Sequence, residues 1–298
     1  PAGLVHLGVD RFGVEPALER FAVPAEGRHP RDLVVEWLHD AGREVDVAND
    51  PPFTGGMNWR RAKPARYSHV VFVCGPFQDG ELERELRRHF GGVPLIGVNL
   101  SMVLPLGSYN PFAHLFERDS SRDARPDLVF ATKERRVPVV GRCLVEDYDE
   151  ARTDLANAAI DRLLSRQEVA IVPIDTRLDE NEVGLRSPRE IESLIAKMDV
   201  VVTTRLHGTV LALKNAVPAL AIDPEIGGFK IVRQAGLIDW PVVFSVDRVT
   251  DSALAEAFDY CLTKEAHHRA RSCAARAEEV LAQTRVDFID LLRDGAQS

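Results

Sequence analysis

The sequence predicts an α/β protein made of two doubly wound units that face a cleft. Short apolar runs alternate with helix-like patterns along the chain, as in a parallel sheet with crossover helices. The 298 residues exceed one ordinary domain, since a domain holds roughly 100–200 residues. A polar stretch at 116–136 separates two series of such elements. We therefore expect one domain at 1–135 and a second, with C-terminal helices, at 136–298.

The first half of the chain contains the pattern of a small parallel sheet. Strands are predicted at 4–9, 45–48, 69–74 and 94–99. A helix is predicted over 30–41, where Leu33, Trp37 and Leu38 share one face and Gly42 ends the helix. The segment 79–90, rich in Glu, Leu and Arg, predicts a second helix with a charged, solvated face.

The second half restarts the same alternation. Strands are predicted at 137–144, 169–174, 200–204 and 219–222, and helices at 149–164 and over most of 251–292. The clearest helix start combines Ser187 as N-cap, Pro188 at the first helical position and Glu190 completing a capping box. An apolar stripe facing the sheet follows at helical spacing: Ile191, Leu194, Ile195 and Met198.

Composition narrows the class of protein. The 37 basic and 46 acidic residues give a net charge of −9, which argues against bulk nucleic-acid binding. No apolar run approaches the ~18–20 residues of a membrane span, and no charged leader precedes an apolar core. The four cysteines lack CxxC spacing, which favours free thiols in a reducing compartment over disulfides or zinc. We expect a cytoplasmic protein without a metal or cofactor.

The stretch 200–218 carries the strongest indication of function. A β-branched run ends in Arg205-Leu206-His207-Gly208, after which helix-forming residues begin. The carboxyl end of a parallel strand is the usual ligand site in such sheets, and a helix N-terminus favours anions. This position predicts an anion site for a small, phosphorylated substrate.

Arg205 and His207 supply suitable chemistry at that position. In extended backbone they would share one face, with Leu206 turned into the packing. Arginine carries a permanent charge on a fork that suits phosphate or carboxylate, and histidine transfers protons near neutral pH. The alternative is a structural role, with the histidine capping a helix and the arginine in an ion pair.

With its flanking motifs, this stretch resembles the polysaccharide pyruvyl transferase family. The family signature is a strand ending in Arg-Leu-His and a small residue, a helix leading to Val-Pro, another strand, and then a lysine. This chain supplies the matching segments at 204–208, 216–218, 222–224 and 227–230, the last ending in Lys230, with 235–237 similar to the family's Leu-Gly-Leu element. The resemblance implies two Rossmann-like domains in a GT-B-like arrangement.

The likeness extends upstream and covers roughly 68–245. Similar segments follow in the family's order at 116–120, 125–129, 139–142 and 169–175. Two departures fall in the first half. The family's glycine-rich run before an aspartate here reads Cys74-Gly75-Pro76-Phe77-Gln78-Asp79. The N-terminal Gly-Asn-x-Gly-Asp loop is absent, and 9–13 is the nearest segment.

The resemblance implies transfer of a pyruvyl group from phosphoenolpyruvate to two hydroxyls of a sugar or glycan, with release of phosphate. The implied substrate-binding residues are Arg142, Arg205, Lys230 and Gly208, and the implied catalytic residues are His207 and Asp79. His207 would protonate the methylene carbon or assist phosphate departure, and Asp79 would be the base on a sugar hydroxyl. The second domain would hold the donor and the first domain the acceptor.

Each assignment has a structural alternative. Arg142 could anchor an ion pair at the domain interface, Lys230 could be an ordinary surface lysine, and Asp79 could cap the helix that starts there. Arg118, Asp119 and Ser120 are interpreted as turn or cap residues. The loop 53–58 with Trp59 could stack on a sugar ring or could be an exposed loop.

Two other functions stay open at this level. One is a glycosyltransferase of the same build that uses a nucleotide sugar. Against it, the sequence offers no acidic residue clearly placed at the strand ends of the second domain to hold a ribose. The other is a non-catalytic binding protein on the same scaffold.

Overall fold

The computed structural model describes residues 2–7, 30–49, 56–133, 135–146, 148, 151–181 and 183–294. Parts of four predictions lie outside these residues: strand residues 8–9, the segment 9–13, loop residues 53–55 and the helix start at 149–150. The chain divides into two compact units, 1–135 and 136–298. No helix in the described part of the chain has the length and apolar composition that crossing a bilayer requires.

Among its described residues, the first unit contains one parallel sheet and two α-helices. Its strands are β1 (Ala2–Leu7), β2 (Val45–Asn49), β3 (Met57–Asn58), β4 (Tyr67–Val73), β5 (Pro76–Phe77), β6 (Leu95–Met102) and β7 (His114–Glu117). Its α-helices are α1 (Pro30–Asp40) and α2 (Glu81–His89). The sheet order is β3-β2-β1-β4-β6-β5, with β7 also paired to β6. The order turns back between β1 and β4, as in a Rossmann-like sheet.

Strand β4 is buried on both faces. Val70 and Phe72 pack in the aromatic cluster that includes the apolar side of α2. Val71 and Val73 pack on the opposite face with the apolar side of α1. Because successive side chains of a strand point to opposite faces, this division shows that helices cover both sides of the sheet.

The two tryptophans of this unit differ in burial, and both expectations for Trp59 are wrong. Trp37 is 45% exposed, and α1 buries Leu33 and Val34. Trp59 has no exposed surface and lies in the core beside His89 and Phe90. Its indole is therefore neither available to stack on a sugar ring nor part of an exposed loop.

The segment after β7 is held to the first unit by polar contacts. The buried Glu117 carboxylate accepts hydrogen bonds from the Ser120 amide and the Ser121 hydroxyl. Burial alone would raise the pKa of Glu117, but these hydrogen bonds hold it below its usual range. Arg118 pairs with Asp127 at 2.8 Å. These contacts agree with the structural interpretation of this segment.

The second unit is a five-stranded parallel sheet with helices. Its strands are β8 (Val139–Cys143), β9 (Ala170–Pro173), β10 (Val200–Thr203), β11 (Ala219–Asp223) and β12 (Val243–Ser245). Its helices are α3 (Thr153–Leu164), α4 (Pro188–Ile195), α5 (Leu206–Lys214), α6 (Lys230–Leu237), α7 (Asp251–Cys261) and α8 (Lys264–Asp294). The sheet order is β12-β11-β10-β8-β9. Strands β10 and β11 are buried throughout.

All strand pairs of both sheets in the described residues are parallel. The predicted α/β class, with two Rossmann-like units, is therefore confirmed. In the second sheet, the direction of winding changes between β8 and β10. Doubly wound sheets bind ligands beyond the carboxyl ends of the strands at such a point. The cleft between the units stays a prediction.

The start of α4 differs in one hydrogen bond from the predicted capping box. The Ser187 hydroxyl oxygen accepts from the Glu190 amide at 3.3 Å, as predicted. The Glu190 carboxylate, however, accepts from the Arg186 amide at 2.6 Å instead of from the Ser187 amide. The buried side chains of the stripe that follows are Ile191, Ile195 and Met198.

Candidate functional site

A pocket of about 220 Å³ lies at the carboxyl edge of the second sheet. It is formed where β8 and β10 end, which is the change of winding described above. Its lining consists of Val145, Tyr148, Thr176, Thr204, Arg205, Leu206, His207, Asp223, Pro224, Glu225, Lys230 and Ile231. The structure therefore brings three of the predicted site residues to one pocket: Arg205, His207 and Lys230.

Arg205 is held in place by the backbone around it. It is the N-cap residue of α5, in an extended conformation with φ −104° and ψ 139°. The Thr203 hydroxyl donates to the Cys143 carbonyl at 2.7 Å and accepts from the Arg205 amide at 2.9 Å. The Arg205 Nε donates to the Leu144 carbonyl at 2.6 Å. These bonds fix the guanidinium at the junction of β8 and β10.

The Arg205 guanidinium also has acidic partners. Its side chain is only 10% exposed, and one Nη lies 3.5 Å from the buried Asp175 carboxylate. The other Nη forms an ion pair with Glu146, whose side chain is half exposed. The structural ion pair weighed as an alternative is therefore present. An incoming anion must share Arg205 with these carboxylates or replace one of them.

His207 lies in the first turn of α5, not in extended backbone. Helix α5 begins at Leu206, directly after Arg205, so the predicted strand-like alternation is wrong. Leu206 also lines the pocket instead of turning away into the core. The His207 side chain is exposed, and no described residue hydrogen-bonds its imidazole. Its ring is thus available at a helix N-terminus, where an anion is favoured.

Gly208 has a packing role. It is buried and lies outside the pocket lining. A Cβ at this position would lie 2.3 Å from the Thr203 hydroxyl oxygen and 3.0 Å from the Cys143 sulfur. Glycine therefore lets α5 approach the ends of β10 and β8 closely. The same burial raises the pKa of the Cys143 thiol to about 11, so this thiol stays protonated at neutral pH.

Lys230 is positioned by a carboxylate that the sequence analysis did not single out. Lys230 is the first residue of α6, and its side chain is exposed at the pocket. The buried Asp223, at the end of β11, accepts from the amides of Phe229 at 2.7 Å and Ile231 at 3.0 Å. It also accepts from the Val232 amide at 3.2 Å. The position of Asp223 at a strand end, a few residues before a helix, is the feature of the sequence that could have identified it.

Arg142 is not brought to this pocket. Its Nε and Nη2 donate to the two carboxylate oxygens of Asp161 in α3, at 2.9 and 3.2 Å. The residue lies on β8, and its side chain pairs with the helix that follows this strand. Arg142 therefore forms an ion pair, but within the second unit and not at a domain interface.

Asp79 lies in the first unit, just before α2. The N-cap residue of α2 is Gly80, so the Asp79 side chain does not cap that helix. The Asp79 carboxylate lies 3.7 Å from Arg84 and 3.9 Å from Arg87, all three side chains being largely exposed. A role for Asp79 across the cleft stays a prediction.

The pocket also contains acidic groups. The sequence analysis found no acidic residue placed to hold a ribose, but Glu225 follows β11 and lines the pocket. Tyr148 lines it too. Burial, together with the nearby carboxylates of Glu225 and Asp223, raises the pKa of the Tyr148 hydroxyl. The site is therefore a mixed set of charges and not a purely cationic one.

In an α/β unit, the change of winding and a helix N-terminus are the positions at which ligands and anions commonly bind. The model of the polysaccharide pyruvyl transferase family matches residues 124–225. The resemblance predicted from the sequence is confirmed over this segment. The matched segment includes Arg142, Arg205, His207 and Gly208, whereas Asp79 and Lys230 fall outside it.

Comparisons over the whole chain are weaker. A search of the curated proteins found no significant match. Among solved structures, the chain is similar to the spinosyn forosaminyltransferase SpnP, with 14% identity, 93% of this chain and 94% of that chain covered, and a TM-score of 0.35. The kitacinnamycin glycotransferase is 11% identical, with 93% of this chain and 94% of that chain covered and a TM-score of 0.34. The Methanocaldococcus jannaschii UDP-GlcNAc 2-epimerase is 10% identical, with 95% of this chain and 100% of that chain covered and a TM-score of 0.31. At such TM-scores these similarities carry no argument about function.

Proposed function

We propose that this chain transfers a pyruvyl group from phosphoenolpyruvate to two hydroxyls of a sugar or glycan, forming a ketal and releasing phosphate. The observation that carries the proposal is the convergence of Arg205, His207 and Lys230 on one pocket. Arg205 and His207 also fall within the segment that matches the family. The pocket of about 220 Å³ is smaller than the roughly 300–1,000 Å³ of drug-sized ligand sites, which favours a small donor.

The donor carries a phosphate and a carboxylate on a three-carbon frame. Arg205 and Lys230 supply two cations to the pocket, one before α5 and one at the start of α6. The N-terminus of α5 adds the positive end of its dipole and backbone N–H groups that have no partner within the helix. These groups can pair with the phosphate and the carboxylate of the donor.

His207 is the proposed acid. In its protonated form it donates a proton to the methylene carbon of the donor, which leaves C2 electron-deficient. One acceptor hydroxyl adds its oxygen to C2 and gives up its proton to a base. The second hydroxyl then bonds to C2 while the C2–O bond to phosphate breaks, and phosphate leaves with that electron pair. One hydroxyl proton thus replaces the proton of His207, and the other leaves with phosphate.

The acceptor side is assigned to the first unit, with Asp79 as the base on a sugar hydroxyl. We place the reaction in the cytoplasm. In support, Cys143, Cys261 and Cys273 are free thiols. Such usage suits a reducing compartment.

The proposal is tested by phosphate release from phosphoenolpyruvate in the presence of candidate sugar diols. We expect release only with a suitable acceptor, and a loss of at least about tenfold in Arg205→Ala, since a charge-assisted contact is removed. The matched control is Arg189→Ala, an exposed arginine on α4 outside the pocket. Equal rates in both variants, with folding intact, would contradict the assigned site.

One observation keeps a second function under test. Because Glu225 lines the pocket, it could accept a hydrogen bond from a ribose hydroxyl, as a glycosyltransferase that uses a nucleotide sugar requires. A rise in the melting temperature with a nucleoside diphosphate, and none with phosphoenolpyruvate, would favour that function. No shift with any anion would favour a non-catalytic binding protein.

A further inference from the structure

One carboxylate oxygen beside the pocket is shared by two guanidinium groups. Of these three residues only Arg205 lines the pocket, whereas Glu146 and Arg177 directly follow the lining residues Val145 and Thr176 in the chain. The Glu146 Oε1 pairs with Nη2 of Arg205 and lies 3.7 Å from Nη1 of Arg177. Glu146 follows β8, which lies between β10 and β9 in the sheet. Arg205 follows β10 and Arg177 follows β9. The ends of the two flanking strands therefore present a pair of arginines to the single acid that follows the middle strand.

The two arginines are fixed independently of Glu146. Arg205 is nearly buried and donates to the Leu144 carbonyl, as described above. The Arg177 amide donates to Asp175 at 2.9 Å, and its guanidinium binds both carboxylate oxygens of Asp179 at 3.2 and 3.0 Å. The Arg177 guanidinium also pairs with Glu180 at 3.0 Å. Both guanidinium groups therefore keep other partners when Glu146 is removed.

Glu146 is the movable member of this group. Its side chain is 51% exposed, compared with 10% for Arg205. An ion pair with an exposed partner is weak because water solvates the carboxylate once it is released. A second carboxylate arriving at the same two guanidinium groups can replace Glu146 at little cost, and planar forks of arginine suit carboxylates.

We propose that the Glu146 carboxylate occupies the binding position of the donor's carboxylate, between Arg205 and Arg177, and leaves it when the donor binds. Arg177 is then a second donor-binding cation. This inference rests on the proposed function and deepens it. It assigns the carboxylate of the donor to the Arg205 side and leaves the phosphate for Lys230 and the N-terminus of α5. Glu146 lowers the apparent affinity for the donor, because the donor binds only to molecules in which Glu146 has left this binding position.

The test is calorimetric binding of phosphoenolpyruvate, pyruvate and inorganic phosphate to the full chain. In Glu146→Gln we expect phosphoenolpyruvate and pyruvate to bind roughly two- to fivefold more tightly, the range for release of an exposed ion pair. Phosphate binding should not change. The control is Glu192→Gln, which removes a carboxylate paired with Lys214 outside the pocket.

The complementary variant is Arg177→Gln, for which we expect weaker binding of phosphoenolpyruvate and pyruvate and unchanged binding of phosphate. Its control is Arg166→Gln, an arginine paired with Asp251 outside the pocket. Equal or weaker carboxylate binding in Glu146→Gln would overturn the proposal, as would unchanged binding in Arg177→Gln. Equal tightening of phosphate would overturn the carboxylate assignment.

The two proposals fail in different ways. If the unmodified chain turns over phosphoenolpyruvate but Glu146→Gln has unchanged carboxylate affinity, the displacement of Glu146 is contradicted and the proposed function stands. If Glu146→Gln binds pyruvate more tightly but no acceptor supports turnover of phosphoenolpyruvate, the proposed function is contradicted and the displacement of Glu146 stands.

Discussion

The carboxyl edges of the two sheets are built in different ways. In the second unit, the ends of β10 and β11 lead into a set of fixed charges, with Arg205 held by backbone bonds and Lys230 placed by the buried Asp223. In the first unit, the end of β4 leads into Cys74 and Gly75, with left-handed φ values of 67° and 87°. Asp79 nearby is exposed and pairs with the surface arginines Arg84 and Arg87.

The comparison separates two ways of preparing a site. The second edge fixes side-chain charges before a ligand arrives, which reduces reorganisation during a reaction. At the first edge the backbone is left-handed at Cys74 and Gly75. This segment has a single glycine where the polysaccharide pyruvyl transferase family has a glycine-rich run. A non-glycine residue in this conformation carries strain of about 1–2 kcal/mol. The contrast predicts that changes at the second edge affect the site most.

The close approach of α5 to the second sheet gives the largest expected loss of stability. Gly208→Ala places a methyl group 2.3 Å from the Thr203 hydroxyl oxygen, so we expect the free energy of unfolding to fall by about 1–3 kcal/mol. The control is Gly236→Ala in α6, where nothing lies within 4 Å of the new Cβ. Equal stabilities of the two variants in urea unfolding would show that the approach is not tight.

Asp223→Asn tests whether a buried carboxylate organises the second edge. An amide has one acceptor oxygen, so it cannot serve both the Glu225 amide at 3.2 Å and the Phe229 amide at 2.7 Å. We expect a loss of about 1–3 kcal/mol in the free energy of unfolding and an increase in KM for the donor. Asp251→Asn, whose exposed carboxylate pairs with Arg162 and Arg166, should change neither KM nor stability by a comparable amount.

Lys230→Ala should raise KM for phosphoenolpyruvate by about tenfold, since one charged contact to the donor is lost. The melting temperature should stay nearly constant because the side chain is exposed. Lys197→Ala, at an exposed position after α4 and outside the pocket, is the matched control. A KM that responds equally in both variants would indicate a general charge effect instead of a site at Lys230.

The smallest effect is expected at the first edge. Cys74→Gly and Cys74→Ala both remove the thiol, but only glycine relieves the left-handed backbone. We expect the glycine variant to be more stable than the alanine variant by about 1 kcal/mol in urea unfolding. If alanine were equally stable, the conformation at Cys74 would not be strained, and the two edges would differ less than the φ values indicate.

The local features of the fold could be predicted from sequence because they depend on neighbours along the chain. The run of β-branched residues before Arg205 forms β10, and Gly42, with φ 70°, follows the end of α1 as expected. The errors arise from tertiary contacts. Arg142 meets Asp161 only because α3 packs beside β8, and Trp59 is buried although its neighbours are polar.

The site itself could be predicted in part. The Arg-Leu-His motif identified the strand end, but the helix begins at Leu206, within the segment that strand alternation assumes to be extended, and Leu206 also reaches the pocket. The role of Asp223 depends on amides six to nine residues later. The aspartate at a strand end marks the position in the sequence, but the amides from which it accepts become evident only when the loop is folded.

The central claim is that His207 supplies the proton for a reaction on a donor held at the second edge. The direct measurement is the rate of phosphate release from phosphoenolpyruvate, with acceptor, in His207→Ala and in the control His268→Ala, whose ring is exposed on α8. We predict a loss of about 10²–10⁴-fold for His207→Ala and no loss for His268→Ala. Wild-type rates in a folded His207→Ala protein would contradict the account.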